Sequence, residues 1–134
     1  MSVEFESVTD VADNTELANV ITYELAALLL DPGSEAHLDQ TSNFMVRQDD
    51  DVIEARWKQV VTTEEARITA DIGLLFKKTQ AFTCSQEVTK EFVEGVAIMV
   101  LVPFIREAVF AAAARLGVAP PLLPLVRPGQ LTLS

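Results

Sequence analysis

The sequence predicts an α+β domain: an antiparallel β-sheet with a long C-terminal helix packed on it and a further helix near the N-terminus. Three observations carry that prediction. Residues 43–80 alternate apolar and polar side chains with the two-residue period of strands. Clusters of turn-forming and acidic residues, Asp49-Asp50-Asp51 and Thr63-Glu64-Glu65, cut that stretch into strand-sized pieces. Residues 103–116 contain an alanine-rich run of very high helix propensity.

The elements follow in order. Met1–Asp10 alternates weakly and reads as a short strand or as a flexible lead. Over Thr15–Leu30 the residues Leu17, Ile21, Leu25 and Leu28 recur at spacings of three and four, which predicts a helix capped by Asn14 or Thr15 and stopped by Asp31-Pro32-Gly33. A strand through Val20–Leu30 is the competing reading, because Val-Ile-Thr-Tyr is good strand material. Asp31–Ser42 is a polar loop. Asn43–Gln48 puts Phe44 and Val46 on one face. Val52–Thr62 puts Ile53, Ala55, Trp57 and Val61 on its dry face, with Gln59 interrupting, and Glu54, Arg56 and Lys58 on its wet face. Ala66–Gln80 sets Ala66, Ile68, Ala70, Ile72, Leu74 and Phe76 against Arg67, Thr69, Asp71, Gly73 and Lys77. Together these strands make a meander with one apolar face.

Ser85 is a helix N-cap, followed by a helical start that Gly95 and Pro103 interrupt. The main helix is expected over Pro103–Leu116, because proline is tolerated where the first N–H has no partner anyway. Gly117 suits its C-terminus. Residues 118–134 hold Pro120-Pro121, Pro124 and Pro128, so this tail is extended. The chain reads as one domain over 1–134, with residues 1–14 as a flexible lead.

Composition excludes several functions. The formal net charge is -10. Residues 1–51 carry twelve acids and only Arg47 as a base, whereas residues 52–134 carry eight acids and nine bases. Phosphate binding needs clustered Lys and Arg, and an anionic membrane surface repels such a chain, so neither nucleic acid nor membrane is an expected partner. The acidic third is a solvated face, or a surface that recruits a basic partner such as a translocase motor. Cys84 is the single cysteine and His37 the single histidine, so no disulfide, metal site or Cys-His chemistry is expected. Neither a phosphate-cradling glycine loop nor a serine triad is present. The acids of Asp49–Asp51 lack calcium-loop spacing. No cofactor and no enzymatic activity are expected. The N-terminus MSVEFESVTD is acidic and unlike a signal peptide, and the apolar run Gly95–Phe104 reads as buried core, so a cytoplasmic protein is expected. Apolar side chains remain in excess of what one sheet face and one helix cover, which points to self-association or to capture of an apolar, extended client.

The stretch Val102–Pro121, VPFIREAVFAAAARLGVAPP, carries a family resemblance. Pro103, Phe104, Arg106 and Glu107 fall where the SecB family of export and antitoxin chaperones has a proline, an aromatic and an Arg-Glu pair at the start of its long helix. Pro120, Pro121 and Leu122–Leu125 resemble the tail of antitoxin-type members. The resemblance covers about half the chain, with Ala66–Gln80 as the last sheet strand. The second C-terminal helix of export-type members has no counterpart in the pattern. What the resemblance implies is ATP-independent holding of unfolded or partly folded protein, in preprotein export or for an antitoxin-type client, by a homo-oligomer built as a dimer of dimers. Phe44, Val46, Trp57, Phe82, Leu123 and Leu125 are the expected client-binding residues, the first three from strand alternation and the last three from predicted exposure. Phe104, Ala111, Ala112 and Ala114 are the expected oligomer interface. Two other readings stand beside it: a dedicated adaptor or inhibitor on the same scaffold, and an enzyme on a small α+β fold.

Overall fold

The computed structural model describes residues 3–31 and 39–123. His37 and Leu125 lie outside the described residues. Among the described residues, six strands, three α-helices and one π-helical turn follow one another: β1 (Val3–Phe5), α1 (Val8–Asp13), β2 (Thr15–Leu29), β3 (Asp39–Gln48), β4 (Val52–Thr62), β5 (Ala66–Lys78), β6 (Phe82–Cys84), α2 (Gln86–Phe92), a π-helical turn (Val93–Ala97) and α3 (Ile98–Leu116).

The main sheet is antiparallel with strand order β2-β5-β4-β3. The two predicted turns close it as hairpins. At the first, Asp49 Oδ1 accepts from the backbone N–H groups of Asp51 (2.8 Å) and Val52 (2.9 Å). These bonds hold the Asp49 carboxyl below its ordinary pKa, because they favour the charged acceptor. At the second, the Thr63 hydroxyl accepts from Glu65 and Ala66. Every predicted inward residue of β5, from Ala66 to Phe76, is buried.

Thr15–Leu30 is the main correction. It is not a helix but a fifteen-residue edge strand paired with β5. Two irregularities, between Leu17 and Asn19 and between Thr22 and Glu24, each insert one residue into the two-residue period. Leu17, Val20, Thr22, Leu25, Ala27 and Leu29 therefore stand opposite Phe76, Leu74, Ile72, Ala70, Ile68 and Ala66 on one face. The helical spacing of Leu17, Ile21, Leu25 and Leu28 does not mark one face: Leu17 and Leu25 stand on the helix side, whereas Ile21 and Leu28 stand opposite Gly73 and Arg67 on the outer side, so a strand that is apolar on both faces imitates a helix. The N-terminal helix is instead the short α1, capped by Ser7, whose Oγ accepts from the Asp10 N–H at 3.1 Å. Asn14 ends that helix rather than starting one. β1 pairs in parallel with β6 and ties the N-terminus to the start of α2.

The long helix is also longer than expected. It starts at the predicted cap, Ser85, whose Oγ accepts from the Val88 N–H at 3.1 Å. Gly95 lies in the π turn and Pro103 lies inside α3, so neither ends the helix. Pro103 sits on the exposed face, where water can reach the carbonyl its ring deprives of a partner. Gly117 closes the helix with φ 75°, a backbone angle that glycine adopts without Cβ strain. The run Gln86–Leu116 is long and apolar enough to cross a bilayer by length and composition. Ile98, Leu101, Ile105, Ala108, Val109, Ala112 and Ala113 are nevertheless buried along one stripe of α3. That stripe packs on β5 and β2, and less on β4.

Candidate functional site

The sheet has two faces of different character. Its helix-side face is the core. Its outer face carries a paired polar cluster: Arg56 grips Asp71 through Nε (2.8 Å) and a terminal nitrogen (2.7 Å), and its guanidinium lies 3.8 Å from the Tyr23 ring centroid. Arg47 Nε donates to Glu54 Oε1 at 2.8 Å, and the Tyr23 hydroxyl donates to Glu54 Oε2. That hydrogen bond, with some burial and the Glu54 charge, raises the Tyr23 pKa above its ordinary value. The Asp71 hydrogen bond raises that of Arg56. Gly73 lies beneath Tyr23, where a Cβ would stand 2.9 Å from Tyr23 Cε2. Each group here is matched by another, so the cluster fixes β2, β4 and β5 rather than presenting an open acid or base. Among the described residues, no three His, Cys, Asp or Glu side chains gather as a metal site.

Three apolar surfaces remain as candidates. The first belongs to the edge strand β2, where Leu17, Leu25, Leu28 and Leu29 are exposed. The second is the outer side of α3. Met99, Phe104 and Phe110 are exposed there, and Pro103, Arg106, Glu107, Phe110 and Ala111 line a shallow groove. Phe104, Ala111 and Ala114 all fall on this outer side. Ala112 does not: it is buried in the stripe against the sheet, one helical position of about 100° away from Ala111.

The third surface is the helix-side face near β3, the strand at the opposite end of the sheet from β2 among the described residues. Phe44 and Trp57 pair across the strands but are each only 4% exposed. Val46 is half-buried beside them. Phe82 is 1% exposed, so its predicted exposure is corrected. It is covered because β6 pairs with β1, which brings the Phe5 ring to 4.7 Å, and the buried Lys78 Nζ lies 4.4 Å from its centroid. Phe44, Trp57 and Phe82 therefore belong to the core of the folded chain, while Val46 and Leu123 sit half-buried at its margin. Residues 118–123 form neither helix nor strand, with Pro121 buried, Leu122 exposed and Leu123 half-buried, and the rest of the expected extended tail lies outside the described residues.

One polar feature of this third surface has its only sequence signal in Gln59, the residue that interrupts the dry face of β4. Gln59 is 1% exposed. Its Oε1 accepts from Trp57 Nε1 at 3.0 Å and from the Ser42 hydroxyl, and its Nε2 donates to Gln40 Oε1 at 3.1 Å. Gln40 Nε2 in turn donates to the Leu122 carbonyl at 2.9 Å.

Comparison with known proteins shows a sequence relative and likeness to solved structures. The chain is 32% identical over 131 residues, 97% of its own length and 88% of the relative's, to the SecB-like chaperone SmegB of Mycolicibacterium smegmatis. Among solved structures, it superposes with a TM-score of 0.72 on a Mycobacterium tuberculosis SecB-like chaperone in complex with a ChAD peptide from the HigA1 antitoxin. That match covers 87% of this chain and 94% of the other at 17% identity, a likeness of fold. No family model matches the sequence.

Proposed function

From the chain's membership of the SecB-like chaperone family, which its identity to SmegB over nearly the whole length establishes, we propose that it holds non-native protein without nucleotide and that its clients include an antitoxin-type segment. The observation that carries the reading is the apolar surface the folded chain leaves outside. Leu25, Leu28 and Leu29 on β2, and Met99, Phe104 and Phe110 on α3, are all exposed. Apolar side chains on a long edge strand and on the outer side of a packed helix are costly in an isolated molecule, and they suit self-association and capture of extended chain. The antitoxin peptide bound by the M. tuberculosis neighbour supports this client class.

The parts divide as follows. Phe104, Ala111 and Ala114, with β2, form contacts between copies in a homo-oligomer. Val46 borders the strip where a client lies, and Leu123, on the chain's own tail, lies along that strip. Trp57 and Phe44 floor that strip and meet a client only when what covers them moves. Binding rather than catalysis is the activity, in the cytoplasm, with no cofactor. An acidic N-terminal third suits a basic partner.

The test is light scattering from an aggregating model substrate in the absence of nucleotide. Stoichiometric chaperone should suppress it. Unchanged scattering at excess removes the general holding activity. The closure of Phe44 and Trp57 favours one further reading, a dedicated adaptor for a single partner. It predicts one tight partner in affinity capture and no suppression of aggregation.

A further inference from the structure

We propose that the strip beside β3 is a binding site for an extended apolar main chain, and that the protein's own segment Val118–Leu123 occupies it as a competing ligand. This deepens the holding function above and rests on it.

The argument begins with coverage. α3 packs on β5, β2 and β4, which leaves the β3 side of the same face to other chain. After the left-handed turn at Gly117, that chain is Val118–Leu123. Val118 and Leu123 pack on the core, Pro121 is buried, and Leu122 is 86% exposed. Inward and outward side chains thus alternate over Pro121–Leu123 as they do in a strand. Two prolines fix their own φ and remove two N–H groups, so the segment offers carbonyls and apolar side chains but few donors.

The polar contact fits such a ligand. Gln40 meets the tail through Nε2, which donates to the Leu122 carbonyl at 2.9 Å. Its other end is committed, because Gln40 Oε1 accepts from Gln59 Nε2. Gln59, itself buried, is fixed by the buried Trp57 and by Ser42 at the surface. The amide of Gln40 is therefore held with its donor facing the strip. A fixed donor that reads a main-chain carbonyl does not read side-chain identity, so any extended apolar segment with a carbonyl in that place can replace Leu122. Attachment a few residues beyond the helix gives the tail an effective concentration of roughly millimolar, which a free segment must outcompete.

The experiment uses a fluorescent synthetic peptide of residues 118–126 and measures its binding by anisotropy. It compares the full chain, a chain ending at Gly117, and that shortened chain with Gln40→Glu, which keeps the acceptor for Gln59 but loses the donor. The shortened chain should bind at least tenfold more tightly than the full chain, and Gln40→Glu should take back about five- to tenfold of that. Equal affinity of shortened and full chains overturns the proposal, as does indifference to Gln40→Glu. If circular dichroism shows the shortened chain unfolded, Leu123→Asp in the full chain expels the tail instead. The same tenfold gain is then expected, and no gain overturns the proposal. Suppression of aggregation is measured in parallel. A full chain that suppresses it while peptide affinity ignores the tail removes the competing ligand and leaves the holding function. Peptide competition without suppression does the reverse.

Discussion

Phe44 and Trp57 face each other across β3 and β4 with ring centroids 5.0 Å apart and planes inclined by 40°. Both are buried, and Trp57 is the chain's single tryptophan. Removing the Phe44 ring leaves a cavity beside Trp57, so Phe44→Ala should destabilise the fold by about 3 kcal/mol. Urea unfolding followed by tryptophan emission reports both the loss and a red shift in the native spectrum. A native emission maximum in the wild type like that of a solvated indole would contradict the closed pair.

Gly73 and Tyr23 make a second close relationship. A Cβ at position 73 would stand 2.9 Å from Tyr23 Cε2 and 3.0 Å from Glu54 Oε2. Both atoms belong to one hydrogen-bonded pair, which must move to make room. Gly73→Ala should therefore cost about 1–3 kcal/mol. In a double-mutant cycle Tyr23→Ala should recover part of that loss, since it deletes the ring the methyl group meets. Additive losses would place the cost elsewhere.

How much of this was legible in the sequence depended on whether a local pattern survived folding. β5 did, because it is central in the sheet and unbroken, so its inward residues alternate without a slip. β2 did not, because it is apolar on both faces: Leu17 and Leu25 on one side and Ile21 and Leu28 on the other fall together at spacings of three and four. Phe82 reads as exposed because its cover comes from Phe5, far away in sequence, through a three-residue parallel pairing. Pro103 reads as a helix start because sequence alone does not show that α2 and α3 run on through a π turn. For the candidate site, the apolar excess was legible, but the expected interface of Phe104, Ala111, Ala112 and Ala114 mixes two sides of α3, because a run of alanines does not show which of them faces the sheet. The link from Gln40 to Leu122 joins residues 82 apart, and only Gln59, polar in a dry face, hinted that something there needed a partner.

Tyr23 gives the pH dependence. It is the chain's single tyrosine, so tyrosinate absorbance reads this group alone. Its raised pKa, caused first by the hydrogen bond to Glu54, means that the folded state holds the phenol proton more tightly than the unfolded state does. The stability it contributes is fully present below the ordinary tyrosine pKa of about 10. It is lost as pH rises through the higher folded value. Spectrophotometric titration should place the midpoint above that of a free tyrosine. Tyr23→Phe should flatten the alkaline limb of the stability curve. A midpoint at or below the ordinary value would show that the Glu54 bond does not persist in solution.

The outer side of α3 and the edge of β2 are where the proposed self-association can be tested. Phe110 is exposed and lines the groove with Ala111, where small side chains let a second helix approach closely. Leu25 is exposed on a strand whose far edge carries no pairing partner among the described residues. A charge at either position costs little in the isolated molecule but much in a dry interface. Size-exclusion chromatography with light scattering should therefore give the wild type a mass that is a multiple of the 14.7 kDa chain. Phe110→Asp and Leu25→Lys should each lower that mass, with circular dichroism unchanged because neither side chain is part of the core. If Phe110→Asp lowers the mass and Leu25→Lys does not, copies meet through the helix alone. A wild type that already runs at the mass of one chain would leave both surfaces to clients.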